Sequence, residues 1–341
     1  MTAHELLRSW IRDDFGIDLV ALDGVDAGAD IAAAVWRGTA ADGARYAVKW
    51  TGGGSPEGLR VPARLAALGV PGVAAPLPTR TGELWTEHDG RRLSLLPWVS
   101  DDDGLDGRMT RVHWESFGRL LAAVHDARVR DTWVDDTMAH AGTDAVAASA
   151  TSESAATVIA AVDAVSHRLD GGGDGHRDDD LVRELGLAWR AGTDLLTQLR
   201  GRVTTLEQTV RERPGRPAVV CHTDAHLGNV LVGDGGDVWL IDWDDAAVAP
   251  RERDLMFVVG GLPGFAPVGE REQEWFFAGY GPADLDQELL SYYRGIRALD
   301  DIAQLATAVL DGPDERERSH WLGFARGELA GDGLAGLALR D

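Results

Sequence analysis

Apolar side chains at Leu6, Leu7, Trp10, Ile11 and Phe15 recur at helical spacing, so the chain is expected to open with an amphipathic helix. Strand character follows at 17–22. Two further strands, 31–38 and 44–50, are predicted on either side of the turn 39–43, where Asp42-Gly43 is a strong hairpin signal. Glycines at 52–54 break the pattern. Pro56 then suits the first turn of a helix running to about residue 68. Pro71, Pro76 and Pro78 punctuate its exit, and a second hairpin, 83–88 with 92–96, turns at Asp89-Gly90.

Beyond residue 96 the period changes from two to 3.6. Trp114, Phe117, Leu120, Leu121 and Val124 predict a helix, with His125 at its end as a structural histidine. The stretch 131–180 is rich in Ala, Ser, Asp and Gly; it offers a weak helix near 152–169 and a solvated run, GGGDGHRDDD. A longer helix is expected over 181–213, ending at Pro214-Gly215. More helices follow Asp254, and their aromatics (Trp275, Phe276, Phe277, Tyr280, Tyr292, Tyr293) suit either a core or a pocket wall. The pattern is therefore α+β. A β-rich part spans 1–96, a short connector lies at 97–100, and a mainly helical part spans 101–341, opening on the acidic loop 101–106. No internal repeat is visible.

A chain of 341 residues suffices for two units with adequate cores. Its 44% hydrophobic and 26% charged residues exclude wholesale disorder. The formal charge of -23 changes the picture more. Such a surface repels nucleic acid and anionic membrane and favours a small cationic partner. Solubility alone is the competing explanation. Cys221 is the one cysteine, so no internal disulfide forms, and beside Val219-Val220 it reads as a small buried hydrophobe. The N-terminus lacks a signal-peptide pattern and no apolar run approaches the ~20 residues of a membrane span. The expectation is a cytosolic monomer or homodimer.

The candidate chemistry is concentrated in 221–254. There His222, Asp224 and Asn229 form H-x-D-x-x-x-x-N, and an apolar strand at 238–241 delivers Asp242. A carboxylate beside an acceptor hydroxyl orients it and takes its proton as a bond to phosphorus forms. A carboxamide oxygen and a second carboxylate, brought in by the two arms of a hairpin, suit Mg²⁺, which prefers hard oxygen ligands. Turn-forming residues on a surface hairpin are the competing explanation. Asp and Asn are depleted in strands, however, and here they flank apolar strands at the end where a site would sit. A zinc site at His222 and His226 would need helical spacing, which Gly228 opposes. Only twelve positions separate Asp242 from Asp254, too few for the long activation segment of a protein kinase, so a small acceptor is expected.

His222-x-Asp224-x4-Asn229 followed by Ile241-Asp242-Trp243-Asp244 resembles the signature of aminoglycoside phosphotransferases and related small-molecule kinases of protein-kinase-like fold. APRERDLMFVVGG and GYGPADLDQELLSYYRGIRALDDI are most similar to the spectinomycin phosphotransferase branch. The resemblance covers nearly the whole chain, least so over 131–180. It implies a small β-rich N-lobe, a larger mainly helical C-lobe, and ATP and Mg²⁺ as cofactors. In this scheme Asp224 is the catalytic base, Asn229 and Asp242 are the metal ligands, and His222 and Asp254 support the loop. Lys49 would grip the α- and β-phosphates, and alternation supports that independently, since Ala47 and Lys49 share one strand face. Gly28-Ala29-Asp30 would lie over the nucleotide phosphates. Residues 95–99 would form the hinge that reads adenine, through the Leu96 carbonyl and the Trp98 amide because Pro97 has no N–H. Trp98 as a core residue is the alternative.

One departure stands out. Kinase-like folds pair the strand lysine with a glutamate on the following helix, and here that helix offers only Glu57, at its very start. Either Glu57 fills the role or Lys49 is held otherwise. The resulting expectation is transfer of the ATP γ-phosphoryl to a hydroxyl of a small cationic aminoglycoside or aminocyclitol such as spectinomycin. Asp244, Asp245, Asp300 and Asp301 are candidate acids for its amines, with a solvated surface acid the alternative for each. A metabolic kinase of the same fold, acting on an amino sugar, choline-like amine or nucleoside, and a non-catalytic nucleotide-binding module are the competing readings.

Overall fold

The structure, a computed structural model, describes residues 3–25, 33–105, 107–127, 154–171, 179–212 and 217–340. It begins with α1 (Ala3–Phe15), β1 (Leu19–Gly24), β2 (Ala33–Ala40), β3 (Arg45–Thr51), α2 (Glu57–Ala67), β4 (Thr86–His88) and β5 (Arg91–Pro97). Next come β6 (Asp102–Asp103), α3 (Arg111–Asp126), α4 (Ala155–Gly171), α5 (Asp180–Ala191) and α6 (Thr193–Glu212). Then follow β7 (Ala218–Cys221), β8 (Val230–Val232), β9 (Val238–Leu240), β10 (Ala247–Pro250) and α7 (Glu252–Leu255). The chain closes with α8 (Glu270–Tyr280), α9 (Gln287–Asp311), α10 (Glu315–Ala330) and α11 (Leu334–Arg340). The class is α+β. By compactness the chain divides into Met1–Val129 with His222–Ala246 and Ala278–Gly281, and a second unit made of the remainder. Gly28, Asp30 and much of 131–180 lie outside the described residues.

In the first unit an antiparallel sheet has the order β1-β2-β3-β5-β4. Its register places Val48 opposite Leu95 and Trp50 opposite Leu93. Val48, Leu93 and Leu95 are fully buried in one cluster with Leu7, Ile11 and Phe15 of α1, and Tyr46 and Trp50 pack against that cluster. Period-two alternation therefore turns Ala47 and Lys49 to the opposite face. The β4–β5 hairpin closes through Asp89 and Gly90, both at positive φ (52° and 72°), the two-residue turn that matches strand twist. α1 is fastened to this edge by His88, whose Nε2 lies 2.6 Å from Asp14 and whose ring stacks on Trp10 at 4.1 Å. A smaller sheet, β6-β8-β9, carries the 222–246 segment.

In the second unit α9 is the spine. Asp286 caps its first turn by accepting from the amides of Glu288 (3.0 Å) and Leu289 (3.3 Å). Buried Leu290, Ile296, Leu299, Ile302 and Val309 line its length. The single helix expected over 181–213 is two helices, α5 and α6, parted at Gly192. A Cβ there would lie 3.0 Å from both the Leu329 backbone oxygen and its side chain, so the close approach of α10 requires glycine. β7 pairs with β10, Cys221 opposite Ala247, and Cys221 is fully buried. Burial pushes its thiol pKa well up, in keeping with a small hydrophobe. Among the described residues no helix is long and apolar enough to cross a membrane.

Two stability measurements check this packing. Gly→Ala inside a helix ordinarily stabilises by ~1 kcal/mol, and Gly201→Ala on α6, with open space around it, should do so. Gly192→Ala should instead destabilise by about 1–3 kcal/mol in urea unfolding, because the backbone oxygen it meets cannot yield. The second concerns Glu328, which accepts from the Leu334 and Ala335 amides at the start of α11. Burial, then the charge of Asp301, pushes its carboxyl up to about 7. The folded state therefore holds this proton more tightly than the unfolded chain does. Its stabilising contribution is complete below the ordinary glutamate range and is lost as pH rises through about 7. Glu328→Gln should flatten the melting-temperature profile across that window.

Candidate active site

The site is built on the β8–β9 hairpin. Val230, Val232, Val238 and Leu240 alternate inward and are buried, so both strands are fixed in the first unit's core. The last rung of the ladder is Ile241 N–H donating to the Asn229 carbonyl at 3.0 Å. The polar residues Asn229 and Asp242 thus leave the hairpin at the same end, as the sequence suggested.

Two residues beside this end hold left-handed backbone without being glycine: Thr223 (φ 73°) and Asp242 (φ 63°). Each costs roughly 1–3 kcal/mol and persists only where its surroundings impose it. Those surroundings are visible. Trp243 is buried and donates its indole N–H to the Leu240 carbonyl at 2.9 Å, so the chain must turn sharply at Asp242 and its carboxylate projects outward. Thr223 donates its hydroxyl to the Asp245 carbonyl at 2.9 Å, tying the loop to the segment after Asp242.

His222 is fully buried and joins the same two segments. Its Nε2 donates to the Ile241 carbonyl at 2.8 Å, while Nδ1 accepts from the Asp224 amide at 3.3 Å. These two contacts fix the orientation of the ring. Asn229 donates Nδ2 to the main-chain oxygen of Asp224 (2.8 Å) and to its Oδ2 (3.1 Å). Both contacts use the nitrogen end of the carboxamide, so the oxygen end is directed away from Asp224. His226 was weighed in the sequence only as a zinc ligand. Here its Nδ1 accepts from the Gly228 amide at 3.0 Å and its Nε2 lies 3.6 Å from Asp224 Oδ2.

Lys49 enters this constellation from β3. Its Nζ lies 2.8 Å from Asp242 Oδ1 and 2.8 Å from Asp244 Oδ2. Burial works to lower the lysine pKa, but the two carboxylates overcome it, so the net shift is upward and the ammonium form is favoured. Lys49 is thus held otherwise than by a helix glutamate; Glu57 forms an ion pair with Arg60 at 2.9 Å. Asp244, expected as an acid for the substrate, is committed to this lysine. The sequence carried an unused signal for the position: Lys49 is the only lysine in the chain, every other basic side chain being arginine.

The hinge expectation needs correction. The Trp98 amide donates to the Arg45 carbonyl at 3.0 Å, and Leu96 sits opposite Ala47 in the same ladder. Both positions therefore face β3, and the intervening Pro97 carbonyl points the other way. Trp98 also donates its indole N–H to Asp101 at 2.8 Å, with Arg45 on the same carboxylate. Asp245 is exposed. Asp254 is fully buried on α7. On α9, Asp301 pairs with Arg297 at 2.7 Å and Asp300 accepts from Gln304 at 2.7 Å.

The donor set fits a hard divalent cation. Asp242 is 44% exposed at the end of the hairpin, and Asn229 offers its carboxamide oxygen there. One ammonium between Asp242 and Asp244 leaves this pair with an excess negative charge.

Residues 28–299 match a family described as the phosphotransferase enzyme family. No curated protein matches the sequence. Among solved structures, spectinomycin phosphotransferase APH(9)-Ia in complex with ADP and spectinomycin is similar with a TM-score of 0.81 and 23% identity, over 99% of this chain and 98% of that one. The AMP-bound complex of spectinomycin phosphotransferase gives 0.79 and 22%, over 98% and 97%. An amicoumacin kinase in complex with AMP-PNP and Ca²⁺ gives 0.57 and 13%, over 98% and 95%. At these identities the likeness is one of fold.

His222→Ala removes the partner of one buried carbonyl and one amide. It should lower unfolding free energy by about 2–4 kcal/mol, since each orphaned polar group costs ~1–3 kcal/mol. A loss below ~0.5 kcal/mol, the range of an ordinary surface change, would show that the loop does not depend on this tie.

Proposed function

The chain belongs to the phosphotransferase enzyme family, and we propose that it moves the γ-phosphoryl group of ATP to a hydroxyl of a small cationic aminocyclitol of the spectinomycin type. The observation that carries this reading is the convergence of Asp224, Asn229, Asp242 and Lys49 in one compact unit, from sequence positions nearly two hundred residues apart. Phosphoryl transfer asks for little covalent work from a protein. It needs positioning and charge neutralisation, and these four side chains supply both.

In the proposed scheme Asp224 orients the acceptor hydroxyl and takes its proton as the new oxygen–phosphorus bond forms and the bond from the γ-phosphorus to the β,γ-bridging oxygen breaks, releasing ADP. Asn229 holds Asp224 by its nitrogen end and presents its oxygen, with Asp242, to Mg²⁺. When bound, the metal neutralises charge on the phosphate oxygens. Lys49 meets the α- and β-phosphates as an ammonium. His222 holds Asp224 to the strand before Asp242, and Asp254 supports the segment from behind. The adenine edge falls to the hinge backbone in 97–100, between a nucleotide lobe at 1–96 and a catalytic lobe at 101–341. Asp245, Asp300 and Asp301 are the acids proposed for the acceptor's amines, and the chain's charge of -23 attracts such a cation. The spectinomycin and ADP bound in the structure of TM-score 0.81 support the choice of acceptor and donor. The AMP-PNP and Ca²⁺ of the amicoumacin kinase support a metal-bound nucleotide.

The test is mass spectrometry of aminocyclitols and aminoglycosides incubated with enzyme, ATP and Mg²⁺. One added phosphate on spectinomycin is the expected result. Asp224→Asn should lower that turnover by about 10²–10⁴-fold while nucleotide affinity stays within a few-fold. Phosphorylation of an amino sugar with none on any aminocyclitol would overturn the acceptor, and unchanged turnover in Asp224→Asn would overturn the mechanism.

A further inference from the structure

Lys49 touches two carboxylates at the same distance, 2.8 Å, yet their surroundings differ. The Asp242 side chain is 44% exposed and the Asp244 side chain 22%. Both carboxylates raise the lysine pKa, Asp242 ahead of Asp244, but the Asp244 pair is the one less screened by water. Asp242 is also the proposed metal ligand, and a carboxylate facing a divalent cation has less charge to spend on an ammonium.

The ground around Asp244 is shaped to admit it. A Cβ at Gly58, in the first turn of α2, would lie 2.6 Å from Asp244 Oδ1 and 2.8 Å from its Cα. A Cβ at Gly54, itself at φ +67°, would lie 2.5 Å from Asp244 Oδ2. Any larger residue at either glycine would push the carboxylate away. Ser55, between them, donates its hydroxyl to the Asp244 carbonyl at 3.1 Å and fixes the backbone. The carboxylate thereby rests on the N-terminal turn of α2, where the helix dipole favours an anion. The helix that in related folds brings a glutamate to the lysine here brings Gly58, and the loop before it brings Gly54.

We propose that Asp244 is the positioning carboxylate for Lys49, and that Gly54 and Gly58 are small so that Asp244 can reach the lysine across the start of α2. In this role Asp244 acts through Lys49, which its carboxylate meets at 2.8 Å. The assignment rests on the phosphotransferase reading for the role of Lys49, and the clamp itself rests on the geometry alone.

Two measurements on the full chain test it. In calorimetric titration with ADP, Asp244→Asn should weaken affinity by about tenfold, a typical coupling for a contacting pair. In a Lys49→Ala background the same change should have less than about a twofold effect, because a residue acting through Lys49 has nothing left to position. Gly58→Ala, which leaves every charge in place, should reproduce part of the loss. The second measurement needs no nucleotide. Lys49 is the sole lysine, so side-chain acylation by an N-hydroxysuccinimide ester reports on it alone. The rate should rise several-fold in Asp244→Asn and in Gly58→Ala.

An equal ADP penalty with and without Lys49 would overturn the proposal. So would an unchanged acylation rate, or a rise in acceptor KM alone, which would return Asp244 to the substrate. If wild-type protein binds no ADP, the phosphotransferase reading fails, and the acylation rates still decide whether Asp244 holds Lys49.

Discussion

An ammonium turned toward the interior of a sheet face has to be paired, because an unmatched buried charge costs several kcal/mol. The first unit is arranged around meeting that requirement for Lys49. Both of its partners come from one three-residue step, Asp242-Trp243-Asp244, in which the tryptophan is anchored inward and the two acids emerge on either side. That step forces the left-handed backbone at Asp242. It also needs the close approach at Gly54 and Gly58, and the alternation that turns Lys49 away from the α1 core. Remove the lysine, and Asp242 and Asp244 both lose the ammonium that joins them.

The chemical identity of the cation matters too. Lysine carries a compact charge on three donors that radiate from one atom, so it can meet two carboxylates and keep a direction for a third anion. Arginine presents a planar fork instead. A chain that uses arginine at every other basic position and lysine only here has kept the side chain whose geometry suits several partners at once. The proposed nucleotide is an anion, so with a chain charge of -23 the proposal requires its neutralising charge to be local, from Lys49 and a cation on Asp242 and Asn229.

The sequence made some of this legible and hid the rest for physical reasons. Asp224, Asn229 and Asp242 were readable because a hairpin places them by local spacing, and the face of Lys49 was readable because strands alternate. The partner of Lys49 was not, since Asp244 lies 195 positions away and their meeting depends on tertiary packing. Its trace, a glycine at 54 and another at 58 where a helix begins, has meaning only once the neighbour is known. The hinge groups were misassigned because the direction of each N–H follows the strand register, which Trp98 and Arg45 reveal and no residue type encodes. The break at Gly192 was hidden in the same way, by a contact with Leu329 from another helix. Gly28 and Asp30 lie outside the described residues.

The most direct measurement uses the one lysine. An ATP acyl-phosphate probe transfers its acyl group to an amine held against the nucleotide phosphates. Mass spectrometry of the treated protein should find a single side-chain acylation, at Lys49, abolished by excess ATP with Mg²⁺. Acylation that ATP does not block, or its absence while the α-amine is modified, would contradict a nucleotide site at Lys49 and with it the phosphotransferase chemistry built around it.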